Sequence, residues 1–416
     1  MKQQSLRLNV KSESDALKWV LVHEPGLEID RLTIGNREQF LFEDIPYLPQ
    51  MQKEHRAFVK ELENQGVHVL QLRDLLFDIL QLSEVRSRLV RNCCAANLQP
   101  SLPNILLDDI SPDELTNILL HGITVNELKD KTGRDFTQID DFTDPFLLRP
   151  SPNIYFTRDI AAIISDSIIS CKMHYPTRTH ESLIIREIFR NHKLFADSKF
   201  LFGNIDGEDR PYTIEGGDII VLSNKAIAIG RSERTRSETI AMVATNLFQN
   251  DKVQRVYEVN IPSRREYMHL DTVFTVAAPG VVVAYPGVME HVTEIRRYEP
   301  MAIGLDDNVI AFAINENRNF NTILEDEFEG HLDVIHTGDN DPKHAEREQR
   351  ADGTNVLAIK PGTVITYDRN PKTNNALRSY GFQVIEIQGS ELVRGLGGPR
   401  CMTMPLVREE INNEPN

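Results

Sequence analysis

One cysteine near the end of the chain lies in a loop that could carry chemistry. The loop at residues 394–405 holds three glycines and a proline directly before Cys401, so its backbone can approach a ligand closely. The thiolate is the reactive form of cysteine, and a neighbouring cation such as Arg400 lowers the pKa of a thiol. An ordinary glycine turn entering a strand has the same composition, so this loop alone leaves both interpretations open.

Three further polar clusters come directly before predicted strands. In an extended chain, residues two apart lie on one face, so the side chains of His269 and Asp271 would point the same way. Taken singly, the clusters also fit turn residues, a hairpin turn and a buried histidine with satisfied hydrogen bonds. Together, a thiol, an imidazole and a carboxylate make the nucleophile, base and orienting group of covalent catalysis. The clusters are Asn153-Ile-Tyr-Phe156-Thr-Arg-Asp159, Glu215-Gly-Gly-Asp218 and His269-Leu-Asp271.

The surplus of carboxylates indicates the charge of the substrate. Asp159 and Asp271 would repel the negative charge that develops on an ester or peptide carbonyl during attack. They suit a cation such as guanidinium, whose five donors lie in a planar fork. A zinc site built from Cys, His and Asp is disfavoured, because the paired Cys/His spacing of structural zinc sites is missing from the sequence.

Repeated units of strand, turn, strand, helix and strand must position these groups. Paired apolar runs around tight turns open such units at 160–170, 218–230, 272–285 and 356–367. With an N-terminal unit, about five modules are predicted, and repetition of one unit is typical of a propeller. A generic mixed sheet with hairpins is the alternative. Because the last module ends at the cysteine loop, we favour a closed ring whose loops converge on one axis.

The modules divide the chain into three parts. We expect the first propeller module at 1–73, an all-helical insertion at 74–150, and the remaining modules with the cysteine loop at 151–416. The helical interpretation rests on the capping signals Ser111-Pro-Asp-Glu114 and Thr124-Val-Asn-Glu127.

The local structure of two further segments can also be predicted. Residues 67–72 are predicted to form a buried strand, because Val, Leu and His residues follow a glycine helix stop. The polar stretch at 307–352 is interpreted as a long solvated excursion and not as a domain.

Composition limits the partners and the compartment. The chain of 416 residues carries a net charge of −16, which argues against a nucleic-acid surface. No apolar run approaches the roughly 20 residues that a membrane helix needs, and the start lacks the apolar core of a secretory signal. Adjacent Cys93 and Cys94 suggest a reducing compartment. We expect a cytoplasmic protein that forms a homo-oligomer and binds neither nucleic acid nor membrane.

Read together, these motifs resemble the arginine deiminase family of guanidino-modifying enzymes. The resemblance covers nearly the whole chain and implies an α/β fold, the five-module ββαβ propeller called pentein, with a helical insertion that smaller relatives lack. It also implies hydrolysis of L-arginine to L-citrulline and ammonia without a metal or an organic cofactor. The matching motifs are Asn153-x-x-Phe156-Thr-Arg-Asp159, Glu215-Gly-Gly-Asp218, Ser232-Glu-Arg234-Thr, His269-x-Asp271, Ala345-Glu-Arg-Glu-Gln349 and Arg400-Cys401-Met-Thr-Met-Pro405.

The resemblance also implies a role for each site residue. Cys401 would attack the guanidinium carbon, and His269, with Glu215 beside it, would act first as an acid and then as a base. Asp159 and Asp271 would bind the guanidinium nitrogens. The residues expected at the substrate carboxylate and around the substrate are Arg178, Arg234, Asn153, Phe156, Leu41 and the backbone of Gly395.

One position departs from the pattern of the family. Many members carry an arginine five residues before the cysteine, on the loop that closes over the substrate, and this chain has Leu396 there. Arg394 and Arg400 are offset from that position, so the role passes to neither. Alternatives to arginine hydrolysis are amidino transfer to an amine, an agmatine deiminase-like activity, and a non-catalytic arginine-binding protein.

Overall fold

Sheets that share one pairing pattern organise the chain. The computed structural model describes residues 5–134, 145–203, 212–303 and 308–410. Within these ranges, five sheets have a central strand that pairs antiparallel with one neighbour and parallel with the other. At least one helix separates the two parallel strands in each sheet, because a parallel pair needs a crossover connection.

The described strands and helices follow in chain order. The strands are β1 (Ala16–Val22), β2 (His68–Gln71), β3 (Ile123–Thr124), β4 (Phe146–Leu148), β5 (Ala161–Ile164), β6 (Ser167–Ser170), β7 (Lys199–Phe202), β8 (Ile219–Val221), β9 (Ala226–Arg231), β10 (Arg255–Asn260), β11 (Phe274–Ala278), β12 (Val281–Ala284), β13 (Ile295–Ile303), β14 (Asn308–Glu316), β15 (Asp333–His336), β16 (Leu357–Lys360), β17 (Thr363–Tyr367), β18 (Gln383–Ile387) and β19 (Met404–Glu409). The helices are α1 (Leu27–Asp30), α2 (Leu48–Asn64), α3 (Leu72–Leu80), α4 (Ser83–Ala96), α5 (Leu102–Asp109), α6 (Pro112–His121), α7 (Val125–Thr132), α8 (Thr157–Ile160), α9 (Thr179–Asn191), α10 (Ser237–Gln249), α11 (Pro286–Met289), α12 (Phe320–Glu327), α13 (Pro342–Gln349) and α14 (Pro371–Ser379). None of the described helices is both long and apolar enough to cross a membrane.

The sheets bring segments from distant parts of the sequence together. Their orders are β19-β1-β2, β5-β6-β7, β8-β9-β10 with β13 and β14 added at the β10 edge, β11-β12-β15, and β16-β17-β18. The first sheet joins the two ends of the chain, because β19 pairs antiparallel with β1. Contacts then link the sheets, since β5 lies against β19 and β16 lies against both β1 and β11. Helix α8, which precedes β5, contacts β19 and the segment Gly216–Asp218 before β8.

The core explains why the strands of the second sheet have continuous apolar sequences. Strands β5 and β6 are buried along their whole length, and Ile163 lies opposite Ile168. Strands that are covered on both faces lose the usual alternation of apolar and polar residues. Helices α4 and α9 pack together, and their apolar residues belong to the same buried cluster as these two strands.

The structure confirms most of the predicted strand pairs. The runs at 160–170, 218–230, 272–285 and 356–367 contain the hairpins β5–β6, β8–β9, β11–β12 and β16–β17. The two predicted helix starts are also confirmed. Ser111 accepts the backbone N–H of Glu114 at the start of α6. Thr124 and Glu127 form the reciprocal capping box of α7.

Three local predictions need correction. The stretch at 74–150 is not all helical, because β3 and β4 pair antiparallel within it. The segment at 307–352 is not a solvated excursion: its described part holds β14, α12, β15 and α13, and β15 pairs with β12. The strand predicted as buried at 67–72 is β2, whose residues are exposed or half-buried, because it forms one edge of the first sheet. The division at residues 73 and 150 stays a prediction.

Candidate active site

The glycine loop folds Cys401 into the interior. Cys401 follows the one-turn segment Leu392–Gly395 and comes shortly before β19. Leu396 has a left-handed backbone with φ of 65°, which reverses the chain at the end of that turn. A Cβ atom at Gly397 would collide with the ring of Phe156, so this position requires glycine. As a result the side chain of Cys401 is only 3% exposed.

Acidic groups surround the thiol. Its Sγ donates to Oδ2 of Asp271 at 3.4 Å, and its backbone N–H donates to Oδ1 of Asn355 at 2.9 Å. Burial raises the pKa of the Cys401 thiol well above its usual value, and Asp271 and Asp159 raise it further. The expected lowering of this pKa is therefore wrong, because burial and the aspartates outweigh the interaction of the thiol with Arg400. The guanidinium of Arg400 is held by Asp271, with Nη1 to Oδ2 at 2.7 Å.

His269 lies between two carboxylates. Its Nε2 is 2.8 Å from Oε2 of Glu215, and its Nδ1 is 3.7 Å from Oδ1 of Asp159. Gly217 makes room for the ring, because a Cβ atom there would overlap the imidazole. Burial by itself would lower the pKa of His269, but Asp159, Glu215 and Asp218 outweigh it and raise the pKa to about 9. The imidazole is therefore protonated at neutral pH.

Glu215 is held as a carboxylate. Burial would raise its pKa, but Arg234, His269 and Arg178 outweigh burial and bring the pKa well below its usual value. Nη1 of Arg234 lies 3.3 Å from Oε2 of Glu215, and the backbone N–H of His174 donates to Oε1 at 2.8 Å. The position of Glu215 is thus fixed from both sides, which in turn orients the ring of His269.

The two aspartates each keep one carboxylate oxygen without a partner. Oδ2 of Asp159 accepts from Nη1 of Arg178 at 2.7 Å, and Oδ2 of Asp271 is used by Arg400 and the thiol. Oδ1 of Asp159 and Oδ1 of Asp271 are buried and have no hydrogen-bond partner among the described residues. A buried acceptor without a donor costs free energy, so these two oxygens favour binding of a ligand that donates hydrogen bonds.

Arg178 and Arg234 differ in their available donors. The Nε of Arg178 donates to Glu181 at 2.9 Å, Nη1 donates to Asp159, and Nη2 points at the carbonyl of Asn153 at 3.4 Å. The Nε of Arg234 is buried without a hydrogen-bond partner in the described structure. Its guanidinium carbon lies 5.2 Å from the centre of the Tyr175 ring, which supports it by a cation–π contact.

The other predicted substrate contacts also lie around this centre. Nδ2 of Asn153 donates to the carbonyl of Phe40 at 2.8 Å, which fixes the neighbouring segment around Leu41. The carbonyl of Leu41 accepts from Nη2 of Arg265. Gly395 packs on the Tyr155 side chain, where a Cβ atom would not fit. The structure therefore brings all the predicted site residues into one region.

Two partly exposed ion pairs lie on segments next to this region. Arg394, from the cysteine loop, pairs with Asp44, and Arg350 pairs with Glu43 at 2.6 Å. A cavity of about 20 Å³, which is room for about one water molecule, is lined in part by Glu43 and Arg350. Because the thiol, the imidazole and both aspartates of the site are buried, substrate entry requires movement of the surrounding chain. The residues that line this cavity include Thr272, Asp352 and Leu396.

Sequence reasoning missed three residues that support the site. Asn355 holds the backbone of Cys401 and donates from Nδ2 to the carbonyl of Asp271 at 3.0 Å. Asp218 accepts the hydroxyl of Thr235 at 2.6 Å and the backbone N–H of Leu270 at 2.8 Å, which braces the chain next to His269. Asp352 is a buried carboxyl whose pKa is raised well above its usual value by burial and by Asp271. Asp218 stands in a quoted motif, but nothing in the sequence separates a bracing aspartate from a binding one.

One group of side chains has the spacing of a metal site. Ligand atoms of Asp159, Glu215 and His269 lie within 4.8 Å of one another. Arg178 and Arg234 already place positive charge beside Glu215, at 3.8 Å and 3.3 Å. A divalent cation there would face both guanidinium groups, so the donor set suits an organic cation that shares the charge over several atoms.

Comparisons with known proteins agree with this geometry. A family model described as arginine deiminase matches residues 38–408. A relative named arginine deiminase from Listeria monocytogenes serotype 4a is 37% identical over 97% of this chain and 98% of its own length. Another relative with this name, from Oenococcus oeni, is 38% identical over 97% of this chain and 98% of its own length. An amidinotransferase structure from Microseira wollei shares the fold, with a TM-score of 0.58, 17% identity and coverage of 97% and 98%. The chain belongs to the arginine deiminase family.

Proposed function

We propose that this chain hydrolyses L-arginine to L-citrulline and ammonia through a covalent intermediate on Cys401. The observation that carries the proposal is the pair of unpartnered oxygens, Oδ1 of Asp159 and Oδ1 of Asp271, beside the thiol and the imidazole. A guanidinium ion offers donors in one plane for both oxygens. Its binding there places the central carbon within reach of sulfur, and such positioning supplies much of the rate of a reaction between held groups.

The positive charge of the substrate lowers the raised pKa of the Cys401 thiol. Before arginine binds, burial and neighbouring aspartates favour the neutral thiol of Cys401. A bound guanidinium neutralises the negative charge of Asp159 and Asp271. Its own positive charge favours the thiolate form of Cys401. Opposite charges within a few ångströms lower the pKa of an acid in this way. The nucleophile is therefore activated by arginine itself, which protects it from reaction with other electrophiles.

The proton that leaves with ammonia comes from His269. When guanidinium binds, the thiol of Cys401 releases its proton to solvent, and the resulting thiolate attacks the guanidinium carbon and forms a C–S bond. Nδ1 of the imidazolium protonates one terminal nitrogen, the C–N bond breaks, and ammonia departs. Nε2 stays bound to Glu215, which stabilises the charged ring. The remaining thiouronium still carries the rest of arginine.

Water completes the reaction. The neutral ring of His269 removes a proton from water, the oxygen attacks the same carbon, and the C–S bond breaks to release citrulline. The proton remains on His269 and the thiol is regenerated after proton exchange. No step needs a metal or an organic cofactor.

We assign the substrate carboxylate chiefly to Arg234. Its buried Nε is a free donor, whereas the donors of Arg178 already face Asp159, Glu181 and Asn153. Arg178 contributes charge to the pocket and orients Asp159. Four further groups complete the substrate site, namely Asn153, Phe156, Leu41 and the backbone of Gly395.

The five sheets fit the closed five-module propeller implied by the family. Neighbouring sheets touch through β5 and β19, through β16 and β1, and through β16 and β11. We place the first module at 1–73, completed by β19, and the inserted part at 74–150. A homo-oligomer and a cytoplasmic location remain predictions.

Arginine labelled with ¹⁵N in the guanidinium group tests the function. Incubation without any amine acceptor is expected to release citrulline and labelled ammonia in equal amounts. An amidinotransferase would need an added amine and release ornithine. An agmatine deiminase-like enzyme would turn over agmatine in preference to arginine. A non-catalytic binding protein would release neither product, and any of these three results would overturn the proposal.

A further inference from the structure

A second and larger cavity lies next to the candidate active site and shares Arg350 with the small cavity there. Its volume is about 420 Å³, within the range of about 300–1,000 Å³ that is usual for small-molecule sites. Four guanidinium groups and one carboxylate among its lining residues leave a formal charge of +3, although the whole chain carries −16. The charged residues are Arg347, Arg350, Arg369, Arg394 and Asp44.

Two of these arginines make no side-chain hydrogen bond or ion pair with the described residues. Arg394 is paired with Asp44 and Glu391, and Arg350 with Glu43. The side chains of Arg347, on α13, and Arg369, after β17, are exposed, and the charge of Arg369 is offset only in part by its neighbour Asp368. Cations gathered without anions repel one another, and a bound anion would remove this cost.

We propose that this cavity, which we term the arginine pocket, binds a small molecule with two or more linked phosphate groups. Guanidinium forks recognise phosphate by paired hydrogen bonds. An inorganic diphosphate carries about three negative charges near neutral pH and presents two linked sets of acceptor oxygens to the guanidinium groups. A single phosphate spans too little of the cavity to reach all four of them.

The arginine pocket shares structural elements with the closure of the active site. Val393 and Arg394 in its wall belong to the loop that leads to Cys401. Asp44 belongs to the segment that covers the site next to Leu41. A polyanion in the pocket competes with Asp44 for Arg394 and repels Asp44. It therefore favours the open loop and weakens the binding of arginine, and arginine weakens polyanion binding by the same factor.

Calorimetry with the full chain and sodium diphosphate tests the binding site without any turnover. Arg347→Ala and Arg369→Ala should each weaken diphosphate binding about tenfold, as loss of one charge-assisted contact does. Arg7→Ala is the matched control, because Arg7 is an exposed arginine that does not line the pocket. It should leave the affinity unchanged. Asp44→Asn should tighten binding, since it removes the competing carboxylate.

Several results would overturn the arginine pocket as a diphosphate site. These are the absence of binding by the wild-type chain, equal weakening by Arg7→Ala, and inorganic phosphate binding as tightly as diphosphate. The coupling has its own test. Rising diphosphate should raise the KM for arginine to a plateau, as two separate sites require. An increase in KM without limit would mean that diphosphate occupies the substrate path itself.

Discussion

At the scale of single residues, neighbouring charged groups determine the protonation state of each titratable group in the site. Burial would neutralise Glu215 and His269, yet Arg234 and His269 keep Glu215 ionised, and Asp159 and Glu215 keep His269 protonated. For the thiol of Cys401, burial and the nearby aspartates outweigh Arg400, whose guanidinium is held by Asp271. The missing cation is the substrate, which makes the nucleophile dependent on the compound it attacks.

Glu215→Gln should lower the pKa of His269 and reduce activity. The raised pKa of about 9 depends in part on the Glu215 carboxylate, and only the protonated ring can donate a proton to the leaving nitrogen. In the wild type, kcat should fall as pH rises through about 9, where the imidazolium loses its proton. In the variant this alkaline limb should move to lower pH, with activity at neutral pH reduced by about a hundredfold or more. An unchanged alkaline limb in a folded variant would show that Glu215 does not control the ring.

Arg234→Ala should reduce the preference for arginine over agmatine, which lacks the carboxylate. In the wild type, agmatine leaves buried Arg234 donors unpaired, so its kcat/KM should be at least about a hundredfold lower. The variant should lose more arginine turnover than agmatine turnover, and both should fall because Arg234 also holds Glu215 as a carboxylate. Arg231→Ala is a suitable control, because Arg231 lies at the end of β9, three residues before Arg234, and pairs with the exposed Glu294. Equal turnover of both substrates by the wild type would contradict the assignment of the carboxylate.

At the scale of elements, turns and loops place the chemistry while helices and strands hold those turns in position. The segment Gly216–Asp218 precedes β8, and Leu270–Thr272 precedes β11, and the two contact each other. Their contact brings Glu215 next to His269. An exposed ion pair between Arg394 and Asp44 joins the cysteine loop to the segment next to Leu41, and we propose that it holds this loop over the site.

Asp44→Asn should loosen the cover with little effect on stability. Exposed ion pairs contribute about 0–1 kcal/mol, so the melting temperature should stay within error. A shift of about 1 kcal/mol toward the open loop should raise the KM for arginine by about fivefold. Asp326→Asn breaks another exposed pair, with Arg318, and serves as the control. Identical KM values for the two variants would contradict a role of Asp44 in closure.

The sequence predicted local elements better than long-range pairing. Hairpins such as β5–β6 follow from apolar runs around a turn, and the cap at Thr124 follows from a four-residue signal. The strand β15 was missed because it is short and lies in a polar stretch, and its burial comes from pairing with β12. The burial of β2 was overestimated because its composition does not reveal that it lies at a sheet edge.

The site residues could be named from motifs, but not the contacts that set their pKa values. Cys401 and Arg400 are adjacent in sequence, which suggested that the cation activates the thiol. In the folded chain the guanidinium turns to Asp271 and to Glu13, at 2.7 Å and 2.8 Å. Side-chain direction at such a position depends on residues hundreds of positions away, which spacing in the sequence does not encode.

At the scale of the whole molecule, the two ends of the chain meet in one sheet and support the nucleophile. Strand β19 pairs with β1, and Cys401 lies just before β19. The arginine pocket and the active site share the loop in front of that strand. Stability of the first sheet and the geometry of the site are therefore linked.

Leu406→Ala should destabilise the fold and the site together. Leu406 is fully buried in β19, and removing a buried leucine side chain costs about 2–5 kcal/mol. The melting temperature should fall, and activity should be lost at lower urea concentration than in the wild type. Leu98→Ala removes a side chain that is 86% exposed and should change stability by less than about 0.5 kcal/mol. Equal melting temperatures for both variants would contradict the supporting role of β19.

The covalent intermediate on Cys401 is the central claim, and peptide mass spectrometry after rapid acid quench of the enzyme with arginine tests it most directly. We predict that the peptide with Cys401 gains the mass of arginine less one ammonia, and that Cys401→Ser abolishes both this adduct and turnover. A gain of only a bare amidino group would mean that the ornithine part leaves first, as in amidino transfer. An unmodified Cys401 peptide during steady turnover, or full activity of Cys401→Ser, would contradict the mechanism.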